Sequence, residues 1–415
     1  MLPISFQIYS LGCKVSYYDA AVLRRELERH NFVVADRMTS PSLVVVNTCA
    51  VTANAITKDR QLIKKLRREF PGALLVVMGC WPQTHKITKE EINDEKTLFW
   101  GVGQPEKLIK KIREFFPEVK KIKANEILES GLIVSSERSR YFIKIGDGCN
   151  QFCSYCLIPF ARGRLKSRPS AVVLTEIKAA VNAGYREIVL SGIHLGRYGE
   201  DKPGQEINLV ALLKKILKIE NLGRIRLSSI EITEVTPVLI KLMKEDKRIC
   251  RHLHISLQSG SDRILKLMNR PYTTTDFYKR TQELRKALPE IAISTDIIVG
   301  FPGENAADFE ATYEFAKKIK FSKIHVFSFS AHAQTRAFKM AGKVSPQEIK
   351  ERSTKLRKLS EQLEADYQKK ILDLYKKGGL SLVVEKGGAD KTRVKTEFGF
   401  DLYLSPRELK KHFKV

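Results

Sequence analysis

Nowhere in the 415 residues does an apolar run approach the roughly 20 residues that a membrane-spanning helix needs. The opening Met1-Leu2-Pro3-Ile4-Ser5-Phe6 has no basic stretch leading into an apolar core, so the expectation is a cytoplasmic chain with no membrane partner. Fixed-period repeats and low-complexity tracts are missing too, which excludes a solenoid. Cysteine is too sparse for a disulfide framework: seven in a chain this long, three of them crowded together, argue for metal binding in a reducing compartment. Carboxylates are in deficit, 47 Asp+Glu against 73 Lys+Arg, and the resulting charge of +26 favours a polyanion partner, nucleic acid first, without specifying what is read. The length and a hydrophobic share of 43% suffice for two or three domains with a sizeable core.

The chain is organised around Gly148-Cys149-Asn150-Gln151-Phe152-Cys153-Ser154-Tyr155-Cys156-Leu157-Ile158-Pro159. Three cysteines spaced C-x3-C-x2-C follow the β run Tyr141-Phe142-Ile143-Lys144-Ile145, a strand and a thiolate loop suited to an iron–sulfur cluster. Three thiolates on four irons leave one iron open to bind substrate and pass it an electron. Two alternatives stand beside this. Zinc is one, although closed zinc sites use four Cys or His ligands, usually as paired knuckles, and no second knuckle follows; three inert core thiols is the other.

Residues 1–116 alternate β runs with amphipathic stretches at about 17–30, 54–69 and 105–116, a βαβ series and hence an open parallel sheet covered by helices. Phe6-Gln7-Ile8-Tyr9 leads to Cys13, Leu43-Val44-Val45-Val46 to Cys49, and Leu74-Leu75-Val76-Val77-Met78 to Cys80. In such a sheet the carboxyl ends of the strands share one edge, so three cysteines far apart in sequence should meet there as a second three-thiolate site. The plainer alternative is three ordinary buried cysteines. Residues 117–139, with Lys120, Lys121, Lys123, Ser135, Ser136, Arg138 and Ser139, read as a surface connector.

A second series spans 140–345, with strands expected near 141–145, 187–190, 224–229, 252–257, 291–299 and 323–329, a partial (βα)6 barrel with its chemistry on the strand-end loops. Ser191 and Gly192 would let a ligand approach the backbone closely, or simply make a tight turn. Alternation in His252-Leu253-His254-Ile255-Ser256-Leu257-Gln258 sends His254, Ser256 and Gln258 to one face, the cavity face of a barrel. Asp296, in a buried strand closed by Gly300-Phe301-Pro302-Gly303, could form an adenosine edge or only end the strand. Arg162, Arg164, Lys166 and Arg168 put four cations just after the cysteine loop, suited to RNA phosphates. A helical linker at 346–377 leads to a lysine-rich tail, 378–415, with β alternation in Leu382-Val383-Val384 and Asp401-Leu402-Tyr403-Leu404. The fold class is thus α/β: an N-terminal open parallel sheet, a central partial barrel and a short C-terminal β module.

The cysteine loop resembles the signature of radical S-adenosylmethionine (SAM) enzymes. The whole order, together with Leu11-Gly12-Cys13-Lys14, Asn47-Thr48-Cys49, Gly79-Cys80, the run to Pro159-Phe160-Ala161-Arg162-Gly163-Arg164, His252 to Ser261 and Thr295 to Glu304, resembles the methylthiotransferases, most closely those acting on threonylcarbamoyladenosine in tRNA. That resemblance implies two [4Fe–4S] clusters, a radical-generating one on Cys149, Cys153 and Cys156 and an auxiliary one on Cys13, Cys49 and Cys80, with SAM near Ser191, Gly192, Ser256, Gln258 and Asp296. It implies a tRNA anticodon stem-loop as substrate, an electron donor such as flavodoxin or ferredoxin, a sulfur donor, and a methylthio group placed on C2 of an adenosine at position 37. One SAM would give the methyl group and another the radical. Related alternatives are the isopentenyladenosine tRNA enzyme and the enzyme that modifies a ribosomal-protein aspartate; a zinc-containing RNA-binding protein is the non-enzymatic one. Cys250 matches neither triad and reads as structural. Phe327 to Arg336 departs from the family pattern, and the tail is shorter than the family's RNA-binding TRAM barrel, which shifts anchoring toward the Arg162 to Arg168 loop and basic helices such as the one carrying Lys64, Lys65, Arg67 and Arg68.

Overall fold

The computed structural model describes residues 4–36, 40–85, 87, 96–117, 139–204, 207–378, 380–386 and 391–408. Of the expected connector, Lys120, Lys121, Lys123, Ser135, Ser136 and Arg138 lie outside these residues, as do Lys410, Lys411 and Lys414 of the tail. Two compact units divide the chain: Met1–Ser136 with Gly148–Asn150 and Cys156–Arg164, and Glu137–Asp147 with Gln151–Tyr155 and Leu165–Val415.

In the first unit the described elements run β1 (Ser5–Ser10), α1 (Lys14–Arg29), β2 (Val33–Val34), β3 (Leu43–Thr48), α2 (Ala53–Glu69), β4 (Leu74–Gly79), α3 (Cys80–Thr84), β5 (Thr97–Trp100) and α4 (Pro105–Arg113). The sheet is parallel in order β2-β1-β3-β4-β5. Its central strands, LVVVNT and LLVVMG, are buried along their whole length, as continuous apolar runs covered on both faces must be. Their period of two divides the core: Leu43, Val45, Leu74 and Val76 pack with Leu23, Leu27, Leu108 and Ile112, while Val44, Val46, Leu75 and Val77 pack with Ile63, Leu66 and Trp81. The short helix Ile158–Arg162 adds Leu157 and Ala161 to that second layer.

In the second unit six parallel strands follow one another as expected, β6 (Arg140–Asp147), β8 (Glu187–Gly192), β9 (Arg224–Leu227) with its continuation β10 (Ser229–Ile230), β11 (His252–Ile255), β12 (Ala292–Val299) and β13 (Lys323–Ser328); β7 (Lys166–Ser167) pairs antiparallel with β6. The strand foreseen at 224–229 is broken at Ser228, where pairing passes from β8 to β11.

The long helix Pro346–Lys376 starts at a Ser345/Glu348 capping box with proline in its first turn. Beyond it β14 (Leu382–Lys386), β15 (Thr392–Thr396) and β16 (Asp401–Leu404) form an antiparallel meander. Leu380, Leu382, Val394, Phe398, Phe400 and Leu404 share one core with Ile371 of the helix and Ala292 at the start of β12, and Tyr367 stacks on Phe400 with centroids 5.2 Å apart. A buried ion network ties this sheet to the amino ends of the barrel strands. Glu187, fully buried, takes Nε of Arg226 at 2.7 Å and is also bound by Arg224. The remaining nitrogens of these arginines reach the carbonyls of Ser381 and Lys395 (2.7 and 2.8 Å) and of Glu397 and Thr396 (3.1 and 2.8 Å). Burial alone would raise the Glu187 carboxyl, but Arg226, Arg224 and Arg140 outweigh it and hold it at about 2.

Candidate functional site

Cys13 lies between β1 and α1, Cys49 follows β3, and Cys80 follows β4, so three neighbouring strands each deliver a cysteine to the carboxyl edge of the first sheet. They are close enough to act on one another's charge. Cys13 is exposed, Cys49 half-buried and Cys80 buried. The strand ends are laced together: the Asn47 amide donates to the Ser16 carbonyl at 2.7 Å, and the Thr48 hydroxyl donates to the Met78 carbonyl at 2.7 Å. Gly79 has φ of 106°, and a Cβ there would meet Asn47 Oδ1 and the Thr48 carbonyl at 2.6 Å, so only glycine lets β4 turn Cys80 inward. The Cys49 backbone N–H donates to Asp59 Oδ2 at 2.9 Å. Burial pushes the Cys49 thiol up to about 12, with Cys80, Cys13 and Asp59 adding to it, and burial lifts Asp59 to about 7.

The other triad's loop divides between the units, Cys149 and Cys156 grouping with the first and Cys153 with the second. In the first, Gly148 has φ of 69° and no room for a Cβ, which would meet the Arg164 carbonyl at 2.1 Å, while the Cys149 N–H donates to the Gly163 carbonyl at 3.1 Å. In the second, Ser154 is pinned by its N–H to Met268 and its hydroxyl to the Leu267 carbonyl, at 3.0 and 2.8 Å. Beside it the buried Arg270 donates to Cys153 Sγ at 3.3 Å, is bound to Glu231, and shares Nε with Tyr272 Oη at 3.0 Å. Nothing in the sequence patterns pointed to Arg270 or Glu231; Glu231 follows β10 and Arg270 the short helix Asp262–Leu267, and neither belongs to a recognisable spacing.

The barrel residues foreseen as lining sort into three kinds. Gln258 and Ser256 are buried, and Gln258 holds the left-handed conformation (φ 67°), its backbone bridging Asp296 and Ile298 at 2.8 and 2.9 Å. A non-glycine residue held there costs of order 1–3 kcal/mol, a strain that collects at functional sites. Asp296 faces His254 (3.1 Å), whose other ring nitrogen meets Ser294 at 3.0 Å. Ser191 and Gly192 end β8: the Ser191 hydroxyl donates to the Ile143 carbonyl at 2.9 Å, and a Cβ at Gly192 would meet the Gly146 carbonyl at 3.3 Å.

The cation loop also divides. Arg164 and Lys166 are exposed. Arg168 is engaged by the Lys144 carbonyl and Glu176, both at 2.7 Å, and Arg162, with a side chain 1% exposed, is paired with Asp19 at 3.0 Å. Arg162 thus takes its counter-charge from inside the protein, as a buried guanidinium must, while Arg168 keeps a side chain 24% exposed. On α2, Lys58, Lys64, Lys65 and Arg68 are exposed and form no ion pair among the described residues, whereas Arg67 is consumed by the Ala73 carbonyl at 2.8 Å.

The family model "Radical SAM superfamily" matches residues 143–316, and "Uncharacterized protein family UPF0004" matches 5–101. Over 375 residues, 88% of this chain and 82% of the other, the sequence is 37% identical to the threonylcarbamoyladenosine tRNA methylthiotransferase MtaB of Bacillus subtilis. The chain belongs to the radical SAM methylthiotransferase family. It is also 34% identical over 363 residues, 85% of this chain and 82% of the other, to the tRNA-2-methylthio-N(6)-dimethylallyladenosine synthase of Carboxydothermus hydrogenoformans. Among solved structures, a radical SAM methyltransferase, TsrM of Kitasatospora setae, shares the fold at a TM-score of 0.59 and 17% identity, over 81% of this chain and 77% of that one.

For a methylthiotransferase the thiols offer the right donors. Among the described residues no group of three or more His, Cys, Asp or Glu side chains is drawn in closely enough to hold a single metal ion. Buried thiols lifted as far as Cys49 ionise only against added positive charge, which an iron centre provides. Soft thiolates are the ligands that iron–sulfur clusters take.

Proposed function

We propose that the protein installs a methylthio group on C2 of N6-threonylcarbamoyladenosine at position 37 of tRNA. The observation that carries this is the pair of cysteine triads, one gathered by three strand ends and one supplied by a single loop, in a chain 37% identical to an enzyme named for that reaction. The isopentenyladenosine tRNA is the second reading, supported by the 34% identity to the other relative.

Cys149, Cys153 and Cys156 would hold the radical-generating [4Fe–4S] cluster, and Cys13, Cys49 and Cys80 the auxiliary one. When bound, the clusters and SAM supply the electron, the carbon-centred radical, the sulfur and the methyl group. The protein's own share is holding and shielding. Ordinary side-chain bases have no purchase on an aromatic C2–H, so no general base is assigned. Arg270, fixed by Glu231, presents a buried cation to Cys153 and favours its thiolate. Ser256, Gln258 and Asp296 form the wall offered to the adenosyl group, with the Gln258 backbone set in advance. Arg164, Lys166 and the exposed cations of α2 are the surface groups assigned to RNA phosphates.

The test is nucleoside mass spectrometry after anaerobic incubation of reconstituted protein with SAM, sulfide, reductant and each of the two tRNAs. A methylthio increment on threonylcarbamoyladenosine alone is expected. An increment only on isopentenyladenosine transfers the assignment to the second reading, and none on either removes tRNA methylthiolation.

A further inference from the structure

Arg162 closes a five-residue helix in a loop rich in cations, where a guanidinium would ordinarily reach water. Its side chain is 1% exposed. Leu157 and Ala161 of that helix share a core with Cys80 and Trp81, which sets the arginine beside α3. Gly163, at φ 73°, then turns the chain away, its N–H on the Pro159 carbonyl at 3.1 Å. Burying a guanidinium demands a counter-charge and acceptors. Asp19, on α1 shortly after Cys13, supplies the charge at 3.0 Å, and the same guanidinium lies close to Cys80. The triad is therefore lopsided: a fixed cation stands at Cys80, and the Asp59 carboxyl stands at Cys49.

We propose that Arg162 is a positioning residue of the auxiliary cluster, a donor locked by Asp19 onto the Cys80 sulfur that raises the potential at which the cluster accepts an electron. Donation to a ligand sulfur and a nearby positive charge both favour the more negative, reduced cluster. The proposal rests on the reading of Cys13, Cys49 and Cys80 as cluster ligands.

Full-length protein carrying Cys149→Ala, Cys153→Ala and Cys156→Ala retains the auxiliary triad alone, and redox titration followed by electron paramagnetic resonance reads its midpoint potential. Arg162→Met is expected to move that midpoint to a more negative value, Arg162→Lys to recover part of the shift, and Asp19→Asn to give a smaller shift in the Arg162→Met direction. Should Arg162→Met lose its iron while circular dichroism shows it folded, retention of iron by Arg162→Lys gives the same answer. The proposal is overturned if Arg162→Met keeps its iron at the parent midpoint, or if Met and Lys variants lose iron equally. A parent triple variant that binds no iron removes the cluster reading itself, a different result from either.

Discussion

The two cysteine triads are built in opposite ways. Cys149, Cys153 and Cys156 lie within eight residues, so local chain geometry is enough to bring them together, and the surrounding fold only pins the loop. Cys13, Cys49 and Cys80 become neighbours only when β1, β3 and β4 are in register. A local triad survives loosening of the tertiary structure; a dispersed one is a readout of it. In the dispersed site burial pushes the Cys49 and Cys80 thiols and the Asp59 carboxyl up. Cluster binding should consequently stabilise the first unit more than the loop.

The sharpest way to break this comparison is to remove one thiol from each triad. Cys153→Ala should abolish both 5′-deoxyadenosine formation and methylthiolation, whereas Cys49→Ala should stop methylthiolation and spare uncoupled SAM cleavage; chromatography of the nucleoside products measures both. Equal loss of both activities in Cys49→Ala would remove the division of labour. Next, Glu187→Gln should lower stability by about 3–5 kcal/mol in urea unfolding, because it leaves buried guanidiniums uncompensated, without altering iron content in the folded protein. Because the folded carboxyl is held at about 2, below its ordinary value of 4.5, its stabilising contribution is complete above 4.5 and is lost as pH falls toward 2. That variant is the control for Gly79→Ala, which should cost about 1–3 kcal/mol and selectively lose auxiliary iron while the loop cluster stays loaded. Iron lost evenly from both triads would show that the strand turn has no special role. The smallest effect is expected from Lys58→Glu, Lys64→Glu or Lys65→Glu: weaker tRNA binding, with the slope of its salt dependence reduced by about one for each phosphate that is no longer neutralised. An unchanged slope would take α2 out of the RNA-binding surface.

How much of this was legible depended on how local each signal is. The loop triad could be read from spacing alone. The dispersed triad could be read because each cysteine ends an apolar β run, and parallel topology turns that repetition into proximity. Strand β15 was not visible, since Thr392-Arg393-Val394-Lys395-Thr396 has the composition of a basic loop and becomes a strand only between β14 and β16. Arg270 was missed, and the burial of Arg162 was not visible, for one reason. A sequence shows that a cation is present but not which carboxylate awaits it, and Glu231 and Asp19 lie 39 and 143 positions away. Ser191 and Gly192 illustrate the converse: small residues suited to a ligand are equally suited to tight strand pairing, and here they also pack against the Ile143 and Gly146 carbonyls.

The network that joins Glu187, through Arg224 and Arg226, to the tail orders events during synthesis. Arg224 and Arg226 cannot settle against Glu187 with all their nitrogens satisfied until Ser381, Lys395, Thr396 and Glu397 have left the ribosome. The barrel therefore waits for residues up to 397, while most of the first unit, complete in sequence once Arg164 has emerged, has everything it needs much earlier. A message truncated before β15 would yield a chain able to assemble its auxiliary triad and unable to close its barrel.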